Sequence, residues 1–394
     1  MRILMMLDWN RGSGGAEIYA SGLCQGLREA GDEVRLLTSS VGMARDGTAD
    51  YVAFGTESKA AQVFLQVVNP FAVTTVRRVL REFRPNVAWI NMFALQLSPA
   101  ALLALGPVPK VLLVSDYKVL CPMGSKLMPD GSLCTIPSGW VCCREGCVSL
   151  PHWLRDQPRY ALIRSAVRKA TRVIACSSWV RDSLAERGIQ SEVTLLPSRS
   201  PGLDFKRRPS PEPTFLFAGR LEREKGVDIL LRAFGRLHQQ CPEAKLRIAG
   251  RGSQQDRLRR LASDLGIDGV VDFTGWLSFE ELEVHLAKAW ASVVPSIWAE
   301  PQGLVAVEAI LRGVPVLASS AGGLAEVVDH GRSGLLFPAG QESSLFDCLR
   351  SVVSGSVFPN HVLAADVVAD AAERFSFRRH IDRMRDIFAE IASA

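Results

Sequence analysis

Two glutamates eight positions apart are the most informative residues of this 394-residue sequence. Glu300 lies in a loop, and Glu308 lies inside the helix predicted to follow it. A loop carboxylate can accept hydrogen bonds from sugar hydroxyls, while the free amides of a helix start face an anion. Gln302, Gly303 and Leu304 supply those amides. Glu308 is surrounded by apolar residues and needs a partner, which the paired hydroxyls of a ribose would supply.

Two basic residues follow the first predicted strand of the second half of the chain. Arg220 and Lys225 come after Gly219, which ends the strand predicted over residues 214–218. At the carboxyl end of a parallel strand, a guanidinium and an ammonium can clamp a diphosphate. Taken alone, either residue is better explained as a solvated surface charge.

Glycine pairs stand between a predicted strand and a predicted helix in both halves of the chain. The first is Gly14 and Gly15, and the second is Gly322 and Gly323. Bare backbone amides at a helix start can approach a phosphate closely. A tight turn without a ligand explains one such pair as well, because glycine is the ordinary residue for such turns. Two pairs facing one cleft favour phosphate binding more than either pair alone.

Five of the nine cysteines lie within residues 121–147. A tetrahedral zinc ion on thiolates would stabilise this long loop, which has little apolar content. The spacings are not the two Cys-x-x-Cys pairs of a zinc ribbon, so reduced thiols remain an equal alternative and a disulfide is the weakest one. The candidate ligands of a structural zinc are Cys121, Cys134, Cys142, Cys143 and Cys147.

The elements that must position these residues alternate along the whole chain. Short Val, Ile and Leu runs separated by helical patterns predict the α/β fold class, with parallel strands covered by helices on both faces. A proline-rich stretch over residues 197–213 reads as an exposed linker. We therefore predict two doubly wound, Rossmann-like domains, residues 1–200 and 201–376, with ligands at the carboxyl ends of the strands in the cleft between them.

Composition excludes several classes of protein. No apolar stretch reaches the roughly 18 to 20 residues of a spanning helix, and the apolar run at residues 3–7 is too short for a signal peptide. These patterns predict a cytoplasmic protein with mostly reduced thiols. A net charge of +5, from 46 basic and 41 acidic residues, is too small to indicate nucleic acid.

Residues 151–172 form a basic segment with interleaved apolar residues. Six of them are Lys or Arg and one is Asp. The pattern fits an amphipathic helix that makes peripheral contact with the inner membrane face. It fits a core-facing helix with a solvated basic face somewhat better.

In this order and spacing, the motifs resemble those of the retaining glycosyltransferases of family 4, which have the GT-B fold. The resemblance covers nearly the whole chain and is densest over residues 217–337. It implies transfer of a sugar from a nucleotide diphosphate sugar, with UDP-sugar favoured, to an acceptor hydroxyl with retention of configuration. No metal is implied for catalysis, and the sequence has no Asp-x-Asp motif. A nucleotide-sugar 2-epimerase and a catalytically silent nucleotide-sugar-binding protein are the alternatives.

The resemblance also implies roles for individual residues. Arg220 and Lys225 would hold the donor diphosphate, Glu308 the ribose and Glu300 the transferred sugar. Gly14–Gly15 would close on the donor phosphates from the first domain.

Further roles concern the base, the acceptor and the chain terminus. Gly250, Trp276 and Leu277 resemble residues that line the base pocket. The Cys-rich loop, residues 121–147, would lie on the acceptor side, and a final helix over residues 377–394 would cross back to the first domain.

One position departs from the family pattern. Many members carry His-Asp after the fourth strand, whereas this chain has Ser115 followed by Asp116. A serine can hydrogen-bond a sugar hydroxyl but cannot carry the positive charge of an imidazolium. Either the chemistry does not need that histidine, or Asp116 or another group compensates, or the protein binds without turnover.

Overall fold

Short apolar runs of the sequence assemble into two sheets, and every strand pairing in the described residues is parallel. The computed structural model describes residues 1–9, 14–41 and 49–393. These residues form two compact units. Unit 1 comprises Met1–Pro129, Cys134–Leu196 and Phe377–Ala394, and unit 2 comprises Asp130–Leu133 and Pro197–Ser376.

Unit 1 contains a seven-stranded sheet of order β3-β2-β1-β4-β5-β6-β7. The central strands are buried on both faces, which is why they read as continuous apolar runs. The predicted strands of this half are confirmed to within a few residues, and the three-residue β3 was missed. The strands are β1 (Arg2–Leu7), β2 (Glu33–Ser39), β3 (Tyr51–Ala53), β4 (Val87–Asn91), β5 (Lys110–Val114), β6 (Arg172–Ala175) and β7 (Glu192–Val193).

Helices cover this sheet and begin at recognisable signals. The Asn69 side chain accepts hydrogen bonds from the amides of Phe71 and Ala72, and Pro70 follows it, as at a standard helix start. The helices are α1 (Gly15–Glu29), α2 (Lys59–Leu65), α3 (Pro70–Glu82), α4 (Pro99–Leu103), α5 (Val141–Arg144), α6 (Leu150–Arg168) and α7 (Ser178–Ala185).

Unit 2 contains a six-stranded sheet of order β10-β9-β8-β11-β12-β13. Its core is built around Phe215, Phe217, Phe234 and Ile248. Five of its strands were predicted, and the last one was missed. The strands are β8 (Thr214–Ala218), β9 (Lys245–Ala249), β10 (Val271–Gly275), β11 (Ala291–Val294), β12 (Val316–Ser319) and β13 (Gly334–Phe337).

Helices of unit 2 alternate with these strands, so each sheet is doubly wound, as predicted. In both sheets the strand order reverses beside the first strand, and such switch points open a crevice at the carboxyl ends. The helices are α8 (Val227–Gln240), α9 (Gln255–Asp264), α10 (Phe279–Lys288), α11 (Leu304–Leu311), α12 (Leu324–Val327), α13 (Glu342–Val353) and α14 (Ala365–Arg374), with a 3-10 turn at Arg223–Lys225.

The domain boundaries differ in detail from those that the sequence suggested. The segment Cys134–Leu196 of unit 1 stops at Leu196 rather than at residue 200, and Asp130–Leu133 of the Cys-rich loop is grouped with unit 2. The linker is also less free than its composition indicates. Arg207 donates to the carbonyl oxygens of Ala287 and Ala289, among others, and its burial lowers its pKa to about 10. Those hydrogen bonds fasten the linker to the end of α10.

The last helix, α15 (Phe377–Ser393), packs on α1 in unit 1. Small residues on α1 allow this approach: a Cβ at Gly22 would lie 2.8 Å from the Phe377 ring. The Tyr19 hydroxyl and His380 Nε2 are 2.7 Å apart and buried. Burial lowers the pKa of His380 to about 4, so the ring is neutral at neutral pH.

Replacing His380 with glutamine should reduce the pH dependence of stability. The unfolded chain takes up a proton on this ring below about pH 6.5, whereas the folded protein does so only near its lowered pKa. The contribution of the neutral ring to the free energy of unfolding is therefore fully present above about pH 6.5 and is lost as the pH falls towards 4. We expect the wild type to lose about 2 kcal/mol more than the variant between pH 7 and 5 in urea unfolding. Equal losses would contradict this account.

Candidate functional site

The carboxyl ends of β8, β9 and β11 bring the predicted donor-binding residues of unit 2 close together. Two glycines permit this proximity. A Cβ at Gly250 would lie 1.8 Å from the carbonyl oxygen of Gly219, so the loops after β8 and β9 touch backbone to backbone. Gly226, with φ of +65°, lies so close to Pro295 that a Cβ would be 2.1 Å from its carbonyl oxygen. Side chains at either glycine would push these loops apart.

Glu300 and Lys225 form a buried ion pair at the centre of this edge. The Lys225 ammonium lies 2.5 Å from Glu300 Oε1, which also accepts from the Ser296 hydroxyl at 2.6 Å. Burial alone would raise the pKa of Glu300, but the Lys225 charge and these two hydrogen bonds hold it below its usual value. The carboxylate is therefore ionised at neutral pH. The ammonium also lies 5.1 Å from the centroid of the Trp298 ring.

The 3-10 turn that carries Lys225 is tied to the loop that carries Glu300. The carbonyl oxygen of Glu224 accepts from the amide of Ile297 at 2.9 Å. Arg220 is exposed and reaches the Glu224 carboxylate at 3.0 Å. The turn thus positions both basic residues that the sequence assigned to a diphosphate.

The glycine pair of unit 2 lies against the Glu300 loop. The amide of Gly323 donates to the carbonyl oxygen of Glu300 at 2.7 Å. A Cβ at Gly322 would lie 2.4 Å from the same oxygen, and its φ is +67°. Gly322 and Gly323 are therefore needed for the close backbone contact with the Glu300 loop, whether or not they also bind a ligand.

The start of α11 follows directly. Gly303 caps this helix with φ of +90°, and a Cβ there would lie 2.4 Å from Leu324. Gln302 is buried, while Leu304, the first helical residue, is half-buried. All three predicted amide donors therefore lie at the helix start, immediately after the ion pair.

Glu308 has a partner within the chain that sequence reasoning missed. The Ser198 hydroxyl, at the start of the linker, donates to Glu308 Oε1 at 3.0 Å. Burial raises the pKa of Glu308, while the Ser198 hydrogen bond and the charge of Arg312 act in the opposite direction. Arg312 also donates to the backbone oxygen of Glu308 and to Glu283. The two glutamates of one segment thus have pKa values shifted in opposite directions.

The predicted base-pocket residues follow β9 and β10. Gly250 comes directly after β9, with its amide donating to Gly275 at 2.7 Å. Trp276 is 54% exposed and Leu277 is half-buried. The Trp276 ring is therefore available for stacking on a planar ligand.

In unit 1, Ser115 and Asp116 follow β5. The Ser115 hydroxyl donates to Asn91 Oδ1 at 2.8 Å, and the buried Asn91 Nδ2 has no hydrogen-bond partner among the described residues. Asp116 accepts from the backbone amide of Lys118 at 2.9 Å. Asn91 was missed because it reads in the sequence as the end of an apolar strand.

The first glycine pair also lies in unit 1. Gly14 is the N-cap of α1, and its carbonyl oxygen accepts from the amide of Ile18. Gly15 is the first residue of that helix. Residues 10–13, which precede the pair, lie outside the described residues.

Asp8 is a second residue of unit 1 that sequence reasoning missed. It is fully buried, and its carboxylate accepts from the amides of Leu95, Gln96 and Leu97. Burial outweighs these bonds and raises its pKa to about 6. Asp8 therefore fixes the loop that follows β4.

The structural zinc suggested by the Cys-rich loop stays a prediction. In the part of the chain that the structure describes, no group of three or more His, Cys, Asp or Glu residues is placed to hold a metal ion. All five predicted ligands, Cys121, Cys134, Cys142, Cys143 and Cys147, are free thiols. Burial raises the pKa of Cys142 and of Cys147.

Across the described ranges, no helix is both long enough and apolar enough to cross a bilayer.

Two family models match the chain. The model for glycosyl transferases group 1 matches residues 203–363, and the model for the glycosyl transferase 4-like domain matches residues 14–198. The two matches adjoin and correspond closely to units 2 and 1.

Curated relatives match about half of the chain. A D-inositol 3-phosphate glycosyltransferase from Nocardioides sp. is 38% identical over 205 residues, which are 47% of this chain and 44% of that protein. A glycogen synthase from Mycobacterium tuberculosis is 36% identical over 226 residues, 55% of this chain and 51% of that protein. The chain thus spans about half the length of these relatives.

A solved structure supports the fold over the whole chain. Anabaena HepE, solved in complex with UDP, superposes with a TM-score of 0.71 at 19% identity, covering 99% of this chain and 100% of that one. This likeness confirms the predicted GT-B class with two Rossmann-like domains.

Replacing Lys225 with methionine should destabilise the protein by about 3 kcal/mol at pH 7, because it leaves Glu300 buried without its counter-charge. The double variant K225M/E300Q should recover most of that loss, since it removes both charges. Urea unfolding of the wild type, both single variants and the double variant measures the coupling. Additive losses would show that the pair is not coupled.

Proposed function

The chain belongs to the glycosyl transferases group 1 family, and from that premise we propose that it transfers a sugar from a nucleotide diphosphate sugar to an acceptor hydroxyl. The observation that carries the proposal is the Lys225–Glu300 ion pair beside Arg220. It places cations suited to a diphosphate next to a carboxylate suited to sugar hydroxyls.

Arg220 and Lys225 contribute the positive charge that the leaving diphosphate needs. Lys225 is held by Glu300, whereas Arg220 is exposed and paired with Glu224 at the surface. A pre-positioned cation stabilises charge that develops as the sugar leaves. We propose that these two side chains make a catalytic metal unnecessary.

We propose that the transfer retains the anomeric configuration, and the same arrangement supports this. The pKa of Glu300 is held low and its carboxylate is engaged by Lys225 and Ser296, so it is a weak base, suited to orient the sugar rather than to take the acceptor proton. The departing phosphate can take that proton on the face from which it leaves. The acceptor then attacks that face, and the anomeric configuration is kept.

The nucleotide is assigned to Glu308 and to the pocket after β9 and β10. Glu308 would accept from the ribose hydroxyls, and the exposed Trp276 would lie against the base. We take UDP as the donor nucleotide, because HepE, which shares this fold, was solved with UDP.

Ser115 and Asn91 offer hydrogen bonds where many family members offer a histidine. The pair contains a hydroxyl and a free amide N–H, both neutral. These groups can bind a sugar hydroxyl, and we propose that the reaction proceeds without an imidazolium.

The free thiols of the chain support a cytoplasmic location, where cysteines stay reduced.

Substitutions of the two glutamates should separate binding from turnover. E308A should weaken UDP affinity by about ten-fold or more in calorimetry, because it removes the acceptor for the ribose hydroxyls. E300Q should leave UDP affinity within about two-fold and reduce release of UDP from the donor sugar by about a hundred-fold. Equal losses of UDP affinity would overturn these assignments.

The same assays discriminate the alternative functions. Tight UDP-sugar binding by the wild type without turnover on any acceptor would favour a silent binding protein. Conversion of the donor sugar to its epimer without an acceptor would favour a 2-epimerase. Either result would contradict the proposed transfer.

Ser198 should act as a positioning residue for Glu308. S198A removes a hydrogen bond that lowers the pKa of Glu308, so the loss of UDP affinity on acidification should begin at a higher pH than in the wild type. At pH 7 we expect about a five-fold weaker affinity. S198T keeps the hydroxyl and should restore both. Superimposable pH profiles of S198A and the wild type would contradict this role.

A further inference from the structure

Helix α6 of unit 1 has two opposed faces with apolar character. One face is buried and contains Ile163, Ala166 and Val167. The opposite face is open to solvent and carries Leu150 and Leu154, which are 46% and 56% exposed. An ordinary surface helix is apolar towards the core and polar towards water. The outer apolar residues of α6 therefore need an explanation that core packing does not give.

A pair of indoles extends this outer face beyond the helix. Trp140, from the preceding loop, is 56% exposed and packs edge-on against Trp153 of α6, with ring centroids 5.5 Å apart. Indole rings combine an apolar body with a polar N–H and are favoured where membrane hydrocarbon meets water.

Basic side chains accompany the apolar ones along the same helix. Arg164 and Arg168 are exposed in the carboxyl-terminal half of α6, and Lys169 follows at its end. Between Cys147 and Arg181 the sequence has one acidic residue, Asp156, whose carboxylate is hydrogen-bonded to Arg155. The surface thus has an apolar amino-terminal half and a cationic carboxyl-terminal half.

We propose that this surface, formed by Trp140, Leu150, Leu154, Arg164 and Arg168, docks the protein on an anionic lipid bilayer. Apolar side chains enter the interface while arginines contact lipid phosphates, and stable attachment needs both kinds of contact. Charge complementarity selects an anionic bilayer, since the positive charge of Arg164 and Arg168 would repel a basic partner. The proposal is independent of the sugar-transfer reaction.

Sedimentation with lipid vesicles tests the proposal on the full-length protein. We expect binding to vesicles of phosphatidylcholine with phosphatidylglycerol, little binding to phosphatidylcholine alone, and weaker binding on addition of salt. R164E/R168E and W140S/L154S should each weaken binding by at least about ten-fold. The matched control R232E/R260E makes the same charge change on exposed sites of α8 and α9 and should bind like the wild type.

Three results would overturn the proposal. The first is that the wild type does not bind anionic vesicles. The second is that the control variant R232E/R260E loses as much vesicle binding as R164E/R168E. The third is that the wild type binds no vesicles but forms a dimer in sedimentation equilibrium, which W140S/L154S dissociates. The last result would identify a second copy of the chain as the occupant. Urea unfolding of each variant checks that lost binding does not arise from lost folding.

Discussion

The buried contact between Lys225 and Glu300 is the interaction on which the rest of the candidate site depends. Removing two charges from water is costly, and the pair is tolerable because it is short and because Ser296 satisfies the carboxylate further. It also requires two loops from different strands to meet at one point. Gly226 makes that meeting possible, since a Cβ there would lie 2.1 Å from the carbonyl oxygen of Pro295. The ion pair therefore depends on the backbone conformation of the loops as well as on the charges of its two side chains.

The two glutamates of one short segment have the same side chain, but their different surroundings shift their pKa values in opposite directions and suit them to different roles. Glu300, beside an ammonium, has a lowered pKa and is charged at neutral pH. Glu308 has a pKa raised by burial, which its hydrogen bond from a neutral hydroxyl does not offset, and it is the more sensitive to acid. The fixed negative charge of Glu300 suits the orientation of a reacting sugar. The carboxylate of Glu308, which already accepts a hydrogen bond from a hydroxyl, suits recognition of a ribose.

Patterns local in sequence predicted most of the fold, and contacts between distant residues account for what was missed. Apolar runs and glycine or proline stops located eleven of the thirteen strands, because a buried parallel strand has a strong composition signal. Strand β3 is too short for such a signal. Site residues were placed on the right elements, but Ser198 lies 110 positions from Glu308, and no spacing rule connects them. The clustering of cysteines is likewise a pattern of the sequence alone, and the structural zinc that it suggested stays a prediction.

The central claim is that the Lys225–Glu300 pair serves the chemistry as well as the fold. The most direct test is the rate at which K225M/E300Q releases UDP from UDP-sugar, under conditions where its stability is measured alongside. The account predicts that the rate falls by at least about a hundred-fold in a variant that remains folded. The variant lacks both the fixed ammonium and the carboxylate that accepts hydrogen bonds from the sugar. A stable double variant with a rate within a few-fold of the wild type would contradict it.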